Sequence, residues 1–361
     1  MKWIKKTFLS LMAFSLLALS PMGSDAAHPK KSSPATIEEK LSSGTAKIVA
    51  STVFTISSDE VNALRSSKTN EQLLTEEELL SKSNEALDAV MNELEENVDK
   101  LYNERLEEWM EAIQAGKNPY KGVNKLTDNK LLARKAYGVE VVASLAADEA
   151  NHELVVITEI TDIDGIPPAI VTGTAKLEYA DKRTKSFRTE DSSKFTFTAG
   201  KNLYEGSKIY SDPVSVDTTH FWRVVGASVG TWSDGVTKSY YDVSQAALLN
   251  KKAVVYPAYE DEDSDLVMFE PDRADLPWVP ANQREPRDPD VRDNFVDWYE
   301  NEYGRPSFSW SNVDIHHIIP LAYGGDNGYD NLIPLPKNFH RKEVTPWWAS
   351  YGKYVPSGDD Y

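Results

Sequence analysis

Three of the six histidines cluster near the C-terminus, and their spacing could place two of them on one metal ion. In an extended strand, alternation puts Asp314 and His316 on one side and His317 on the other. A short helix beginning at Pro336 could carry His340 back to His316. Two imidazoles would then hold a divalent metal, and the adjacent His317 could act as a base. Phosphodiester hydrolysis needs these two parts, because a metal stabilises the leaving oxygen and a base activates water.

The same stretch carries further features at fixed spacing. Gly324-Gly325 follows the histidine pair, Asn331 precedes a leucine, and His340 comes nine residues after Asn331. This pattern resembles the HNH (ββα-metal, or His-Me finger) endonucleases over residues 305–348, and most nearly the colicin-type and related secreted bacterial nuclease domains. The resemblance implies a small ββα-metal domain and a hydrolysis that leaves 5′-phosphate and 3′-hydroxyl ends.

The resemblance also implies a role for each matching residue. His316 and His340 would bind the metal, and His317 would be the general base. Asp314 and Asn331 would complete the catalytic group. Asn331 would hold the loop between strand and helix through backbone hydrogen bonds. Asp314 would help to hold the site or a phosphate-binding arginine.

One position departs from the colicin-type pattern. A further histidine is expected four residues after His340, and this chain has Val344 there. We expect Glu343 or water to fill the coordination position. Oxygen ligands beside two histidines would favour Mg²⁺ or Mn²⁺, with Zn²⁺ or Ni²⁺ as the alternatives. The rival hypothesis is a non-enzymatic secreted binding or surface protein that carries a degenerate HNH unit.

The charge of the chain argues against strong binding of nucleic acid. The net charge is -18, from 57 acidic and 39 basic residues, and residues 284–361 are also acidic on balance. Non-specific affinity for DNA comes from neutralising phosphates, so we expect weak, salt-sensitive binding. Arg305, Arg341 and Lys342 are the candidate substrate-binding residues, with Lys337 beside them. Arg287 and Arg292, at a predicted helix over 290–303, are candidates for a phosphate clamp.

The N-terminus has the pattern of a secretory signal. Lys2 gives a positive start, residues 8–19 form a short apolar run, and Ala26 ends a small-residue cleavage site. The apolar run is too short to span a bilayer comfortably. We therefore expect a secreted, extracellular protein, cleaved near Ala26. The chain has no cysteine, which excludes disulfides and thiolate metal ligands.

The rest of the chain predicts an α+β multidomain protein. Leucines recur every seven residues in a long predicted helix over 71–116, which could form a homodimer seam or pack on its own domain. β-branched and aromatic runs after it predict an antiparallel, sandwich-like β domain. The expected divisions are a signal peptide (1–26), a tether (27–46), a helical region (47–150), a β-rich domain (151–256), an acidic, proline-rich linker (257–283) and the HNH nuclease domain (284–361).

Two biological roles fit a secreted nuclease of this kind. An antibacterial toxin would use residues 34–256 for delivery and would have an immunity protein as its partner. A scavenging extracellular nuclease would need neither. DNA is the expected substrate in both cases, and the sequence does not exclude RNA.

Overall fold

The protein was analysed as a computed structural model that describes residues 34–57, 73–114, 138–184 and 186–352. The predicted signal peptide, 1–26, lies outside these residues. The described chain is mixed α and β, with a large antiparallel β-rich part and few helices. Within these ranges, no helix has both the length and the apolar composition needed to cross a membrane.

Two antiparallel sheets make up the β-rich part. The first contains β1 (Ala46–Ser57), β2 (Gly138–Asp148) and β3 (Glu153–Asp164), with the short strands β6 (Lys208–Tyr210) and β7 (Val214–Ser215) paired to β3. The second contains β4 (Ile170–Ala180), β5 (Arg188–Thr198), β8 (His220–Thr231), β9 (Thr237–Val243) and β10 (Ala247–Leu249). Its strand order is β10-β8-β4-β5, and β9 also pairs with β8.

One hydrophobic core joins the two sheets. Phe54 and Leu145 of the first sheet share it with Leu177, Phe197 and Trp222 of the second. The β-branched and aromatic runs predicted as strands between 151 and 256 are confirmed, because each overlaps one of these strands. Burial of alternate or successive apolar side chains against the opposite sheet is what stabilises them.

Strands β1 and β2 correct the expectation of a helical region over 47–150. Strand β2 pairs on both sides in the middle of the first sheet and is buried along nearly its whole length. Such a strand lacks the alternation of apolar and polar residues by which a strand is recognised in a sequence. The expected tether, 27–46, is corrected in the same way. It contains helix α1 (Pro34–Ser43), whose Ile37 is fully buried against the first sheet.

The long predicted helix is confirmed as α2 (Glu76–Gln114). It begins with a capping box, because the Glu78 amide donates to the Thr75 hydroxyl and the Thr75 amide donates to the Glu78 carboxylate. Its apolar stripe, including Leu87 and Leu94, packs against the second sheet of the same chain. These leucines are therefore not exposed for the homodimer seam that the seven-residue repeat suggested.

The segment expected as a linker, 257–283, contains a hairpin of β11 (Tyr259–Glu260) and β12 (Val267–Met268). Its acidic turn is tied to the elements that follow, because buried Asp261 accepts a hydrogen bond from the Tyr299 hydroxyl. Composition alone indicated a solvated spacer, but one buried carboxylate with a partner is enough to fold the run back onto the protein.

The C-terminal part begins with helix α3 (Val291–Glu302), which is the helix predicted over 290–303. A two-stranded sheet of β13 (Val313–His317) and β14 (Leu332–Pro336) follows. The chain then runs without a break through α4 (Lys337–Phe339), a π-helical turn (His340–Val344) and α5 (Thr345–Ala349), which we call the C-terminal helix.

Two clusters of side chains fix these elements. Phe295 and Tyr299 of α3 pack with Ile315 and Leu332 of the two strands. Trp347 and Trp348 are buried in the cluster that also contains the α2 stripe. The two tryptophans therefore anchor the C-terminal helix in the core. The domain boundaries at 256/257 and 283/284 stay predictions.

Replacing Leu94 with alanine should destabilise the protein by about 2 to 5 kcal/mol, because the substitution leaves a cavity beneath α2. Leu80, which is 37% exposed on the same helix, is the matched control, and Leu80→Ala should cost about 1 kcal/mol or less. Denaturant unfolding measures both values. Equal costs, or a change in oligomeric state on sedimentation of Leu94→Ala, would contradict the packing described.

Candidate functional site

The structure places the rings of His316 and His340 side by side in the interior. Their centroids are 4.8 Å apart, and the residues are 8% and 7% exposed. His316 lies on β13, where its backbone pairs with Ile333 of β14, and His340 begins the π-helical turn that follows β14. The Nε2 atom of His316 is buried and has no hydrogen-bond partner among the described residues. A buried, unpartnered imidazole nitrogen beside a second imidazole is a suitable ligand set for a metal ion.

Asp314 links the second histidine to an arginine. Its Oδ2 lies 3.1 Å from the Nδ1 of His340, and it also accepts a hydrogen bond of 3.2 Å from the Nε of Arg341. Burial alone would raise the pKa of Asp314, but these two hydrogen bonds outweigh it and hold the pKa below its ordinary value. The carboxylate therefore stays ionised, and its contact with Nδ1 leaves the Nε2 of His340 for a ligand.

Burial also determines the charge of the adjacent histidines. It lowers the pKa of His316 well below the usual range, and repulsion from His340, His317 and Arg287 adds to the effect. Burial likewise lowers the pKa of His317, against the opposing hydrogen bond to Asn327. Both rings are thus neutral near pH 7. A metal ligand and a general base both require this form.

His317 is held by an amide whose orientation is fixed. The Nε2 of His317 lies 3.0 Å from the Oδ1 of Asn327. The Nδ2 of Asn327 donates to the carboxylate of Glu285 at 2.7 Å and to the carbonyl of Pro286 at 2.9 Å. Because both amide protons are directed at acceptors, Oδ1 must accept from His317. The proton of the neutral ring therefore lies on Nε2, and Nδ1 carries the free lone pair.

Asn331 pins the loop between the two strands. Its Oδ1 accepts a hydrogen bond of 2.8 Å from the Ile319 amide, and its Nδ2 donates to the carbonyls of Ile319 and Asp326. The glycine pair allows this close packing. Gly324 has a φ of +87°, and a Cβ on Gly325 would stand 1.7 Å from the Ile319 carbonyl oxygen. The scaffold role expected for Asn331 thus agrees with its contacts.

The predicted third ligand does not join the two histidines. Glu343 is exposed and lines a separate cavity of about 590 Å³ with Lys342 and Trp347. Among the described residues, no group of three histidine, aspartate or glutamate side chains is placed to hold one ion. Val344 is fully buried in the core, so this position packs the C-terminal helix and offers no ligand.

The predicted basic residues divide into two groups. Arg341, held by Asp314, and Arg287, whose charge acts on both His316 and His317, lie at the site. The remaining four basic residues bind backbone carbonyls or lie away from the histidines. Arg292 donates to the backbone carbonyls of Trp310 and Val313, Lys337 donates to the Ser311 carbonyl, Lys342 lines the separate cavity, and Arg305 is exposed on the loop after α3.

Two residues of the site were absent from the prediction, Asn327 and Glu285. Asn327 lies in an Asp-Asn-Gly run, which indicates a turn and gives no sign of a contact with His317. Glu285 comes from the segment before α3, and only the folded chain brings it to Asn327. The run of proline and acidic residues around it has no spacing that sequence patterns connect with a histidine.

Comparison with protein-family models, with curated proteins and with solved structures finds no match to this chain. The assignment of a function therefore depends on the arrangement of the side chains described above.

Replacing Asn331 with aspartate should destabilise the loop by about 2 kcal/mol or more. The substitution removes both donors and sets a negative charge against two carbonyl oxygens. Hydrogen exchange at the Ile319 amide should become faster, and the unfolding midpoint should fall. The control is Asn97→Asp on the exposed face of α2, where the amide also donates to a carbonyl and the change should be about 0.5 kcal/mol. An unchanged exchange rate at Ile319 would show that Asn331 does not hold the loop.

Proposed function

We propose that this chain is a secreted, metal-dependent endonuclease of the HNH type, which hydrolyses phosphodiester bonds of DNA largely without regard to sequence. The observation that carries the proposal is the buried pair of His316 and His340, next to a third histidine, His317, whose tautomer is fixed by the Asn327 amide. A metal ligand and a general base on adjacent residues of one strand would supply the two things that hydrolysis needs, a metal ion and a group that activates water.

The order of elements supports the same proposal. A hairpin of β13 and β14 leads directly into the C-terminal helix, and the histidines lie on the strand and at the start of the π-helical turn. A π-helical turn interrupts regular helix geometry and is frequent at functional sites. This arrangement corresponds to the ββα unit implied by the resemblance of residues 305–348 to HNH endonucleases.

His316 and His340 would hold the metal, and water would complete its coordination. Because Glu343 is not beside them, the case for an oxygen-rich Mg²⁺ site is weaker than the sequence suggested. Two imidazole nitrogens favour Ni²⁺ or Zn²⁺, and the water ligands that complete the coordination also suit Mn²⁺. When bound, the ion would polarise a phosphoryl oxygen and stabilise the charge on the leaving oxygen. Asp314 keeps the His340 ring in one orientation through its contact with Nδ1.

His317 would take the proton from the attacking water. The contact with Asn327 fixes the tautomer, so the accepting atom is Nδ1. The lowered pKa keeps this nitrogen unprotonated near neutral pH. Once protonated, the ring remains hydrogen-bonded through Nε2, and Glu285 behind Asn327 stabilises the positive charge.

Two arginines would hold the phosphate. Arg341 uses Nε and Nη2 for Asp314 and is 62% exposed, so Nη1 can reach a ligand. Arg287 is exposed and near both histidines of β13. They place positive charge at the site although the chain as a whole is acidic, so affinity for DNA should be modest and should fall with salt.

The second candidate is a non-enzymatic secreted binding or surface protein with a degenerate HNH unit. The absence of a three-residue ligand group among the described residues favours it. Nuclease assays separate the two candidates, since a degenerate unit would cut nothing with any metal.

Purified protein should nick supercoiled plasmid with Mn²⁺, Ni²⁺ or Zn²⁺ at low salt, and EDTA should abolish the reaction. His317→Ala should lower the rate by about 10²- to 10⁴-fold, because the general base is lost. The control is His152→Asn, at an exposed turn with a φ of +56° that asparagine tolerates, and its rate should equal wild type. Equal inactivity of wild type and His317→Ala with all metals would contradict the enzyme.

Asn327→Ala should lower kcat by about ten- to a hundredfold and change KM much less, since the main role of Asn327 is to position the base. The double variant Asn327→Asp/Glu285→Gln keeps an acceptor for His317 and reverses the hydrogen bond behind it, with the new amide at position 285 donating to the new carboxylate, so it should recover much of kcat. Steady-state cleavage of a labelled oligonucleotide measures both constants. A rise in KM alone, or no rescue by the double variant, would contradict this positioning.

A further inference from the structure

A small cavity lies beside the candidate active site. Its volume is about 160 Å³, and it is lined by Asp288, Val291, Asn294, Asn327, Gly328 and Tyr329. Asn327 is also the residue that holds His317. One side chain therefore separates this cavity from the proposed general base, so an occupant of the cavity would lie close to His317.

Tyr329 supplies a flat wall that is already rigid. Its ring stacks on Trp298 at 4.8 Å between centroids and 18° between planes, and it meets the ring of Phe295 edge to face. The residue is nevertheless 38% exposed. An aromatic ring that is held from behind and open in front loses little conformational entropy when a second flat group stacks on it.

The remaining walls offer hydrogen-bonding groups to the edge of such a ring. The carboxylate of Asp288 accepts from the Asp290 amide at 2.9 Å and lies 3.4 Å from the Asn294 amide, contacts that leave acceptor capacity on both oxygens. Asn294 is exposed and adds a carbonyl acceptor and a second amide proton. Val291 supplies an apolar contact. A flat heterocycle with both donors and acceptors on its edge matches this lining.

The acidity of the protein points in the same direction. A nuclease with a net charge of -18 gains little from phosphate neutralisation. Stacking of a base on an aromatic side chain does not depend on charge and occurs with every base. An aromatic cavity close to the proposed general base would thus supply binding that the basic residues do not.

We propose that this cavity binds one unpaired nucleobase of the strand that is cut, so that single-stranded nucleic acid is preferred over intact duplex. The inference rests on the proposed nuclease function and deepens it. A base in a duplex can enter the cavity only after it has left its stack and its partner, and that cost falls on duplex binding. A strand that is already unpaired binds without this cost of unstacking and unpairing.

Binding is tested in the inactive His317→Ala background with Mn²⁺ and fluorescein-labelled oligonucleotides, by anisotropy at two salt concentrations. Tyr329→Ala should weaken binding of a single strand about tenfold and leave binding of a duplex hairpin unchanged. Tyr329→Phe should bind as the parent does, because it keeps the ring. Tyr204→Ala, at a 60% exposed tyrosine of the β-rich part, is the matched control and should also be unchanged. An equal loss for single strand and hairpin would overturn the inference.

The variant Tyr329→Leu tests whether a loss of binding comes from the missing aromatic ring or from unfolding of the protein. Leucine retains an apolar contact with Trp298 but has no flat face, so this variant should melt within a few degrees of the parent and still bind the single strand weakly. Parent-like binding by a stably folded Tyr329→Leu variant would overturn the inference.

Cleavage distinguishes this inference from the function on which it rests. Active protein should cut a single strand faster than a duplex. One abasic site in the strand should suppress cutting at the linkages next to it, since the phosphates remain but the base is missing. Equal rates on single strand and duplex, with no effect of the abasic site, would overturn the base cavity and leave the nuclease intact. No cleavage of either substrate by wild type with any of the three metals would overturn the nuclease itself.

Discussion

His316 and His340 lie side by side in the interior, where two positive rings would repel each other and neither would be hydrated. Burial therefore keeps His316 neutral and leaves its Nε2 as a lone pair without a partner among the described residues. The surrounding structure maintains this arrangement. The strand pair sets the position of His316, the π-helical turn sets that of His340, and Asp314 fixes the His340 ring.

Much of the site and of the fold could be predicted from the sequence, because the patterns that indicate them extend over only a few neighbouring residues. The alternation of side chains along a strand places His316 and His317 on opposite sides of β13. Asn331 lies at the end of the loop after β13, where its side chain makes the hydrogen bonds that close this loop. The seven-residue repeat identified α2, and β-branched runs identified the strands of the central β-rich part. In each case, a periodic pattern of a few residues reports directly on burial.

The rest depends on contacts between distant parts of the chain, which periodicity does not show. Strand β2 is buried along nearly its whole length, so it lacks the alternation that marks a strand, and it pairs with neighbours on both sides in the sheet. Glu343 is adjacent to the expected ligand position, but Val344 is packed in the core and Glu343 faces another cavity. Arg292 has the charge for a phosphate clamp, yet it donates to the backbone carbonyls of Trp310 and Val313 at the start of β13. The hydrogen bonds between Glu285 and Asn327 and between Asn327 and His317 likewise join residues from separate segments of the chain.

Direct detection of the ion on the histidine pair tests the central claim most closely. Histidine ring resonances of ¹⁵N-labelled protein can be followed while Mn²⁺ is added, since the paramagnetic ion broadens nearby nuclei. The account predicts saturable broadening at one equivalent for His316, His340 and their neighbour His317, with His152 and His220 of the β-rich part as internal references. Uniform broadening of all these rings, or none at His316 and His340, would contradict a metal site at this pair.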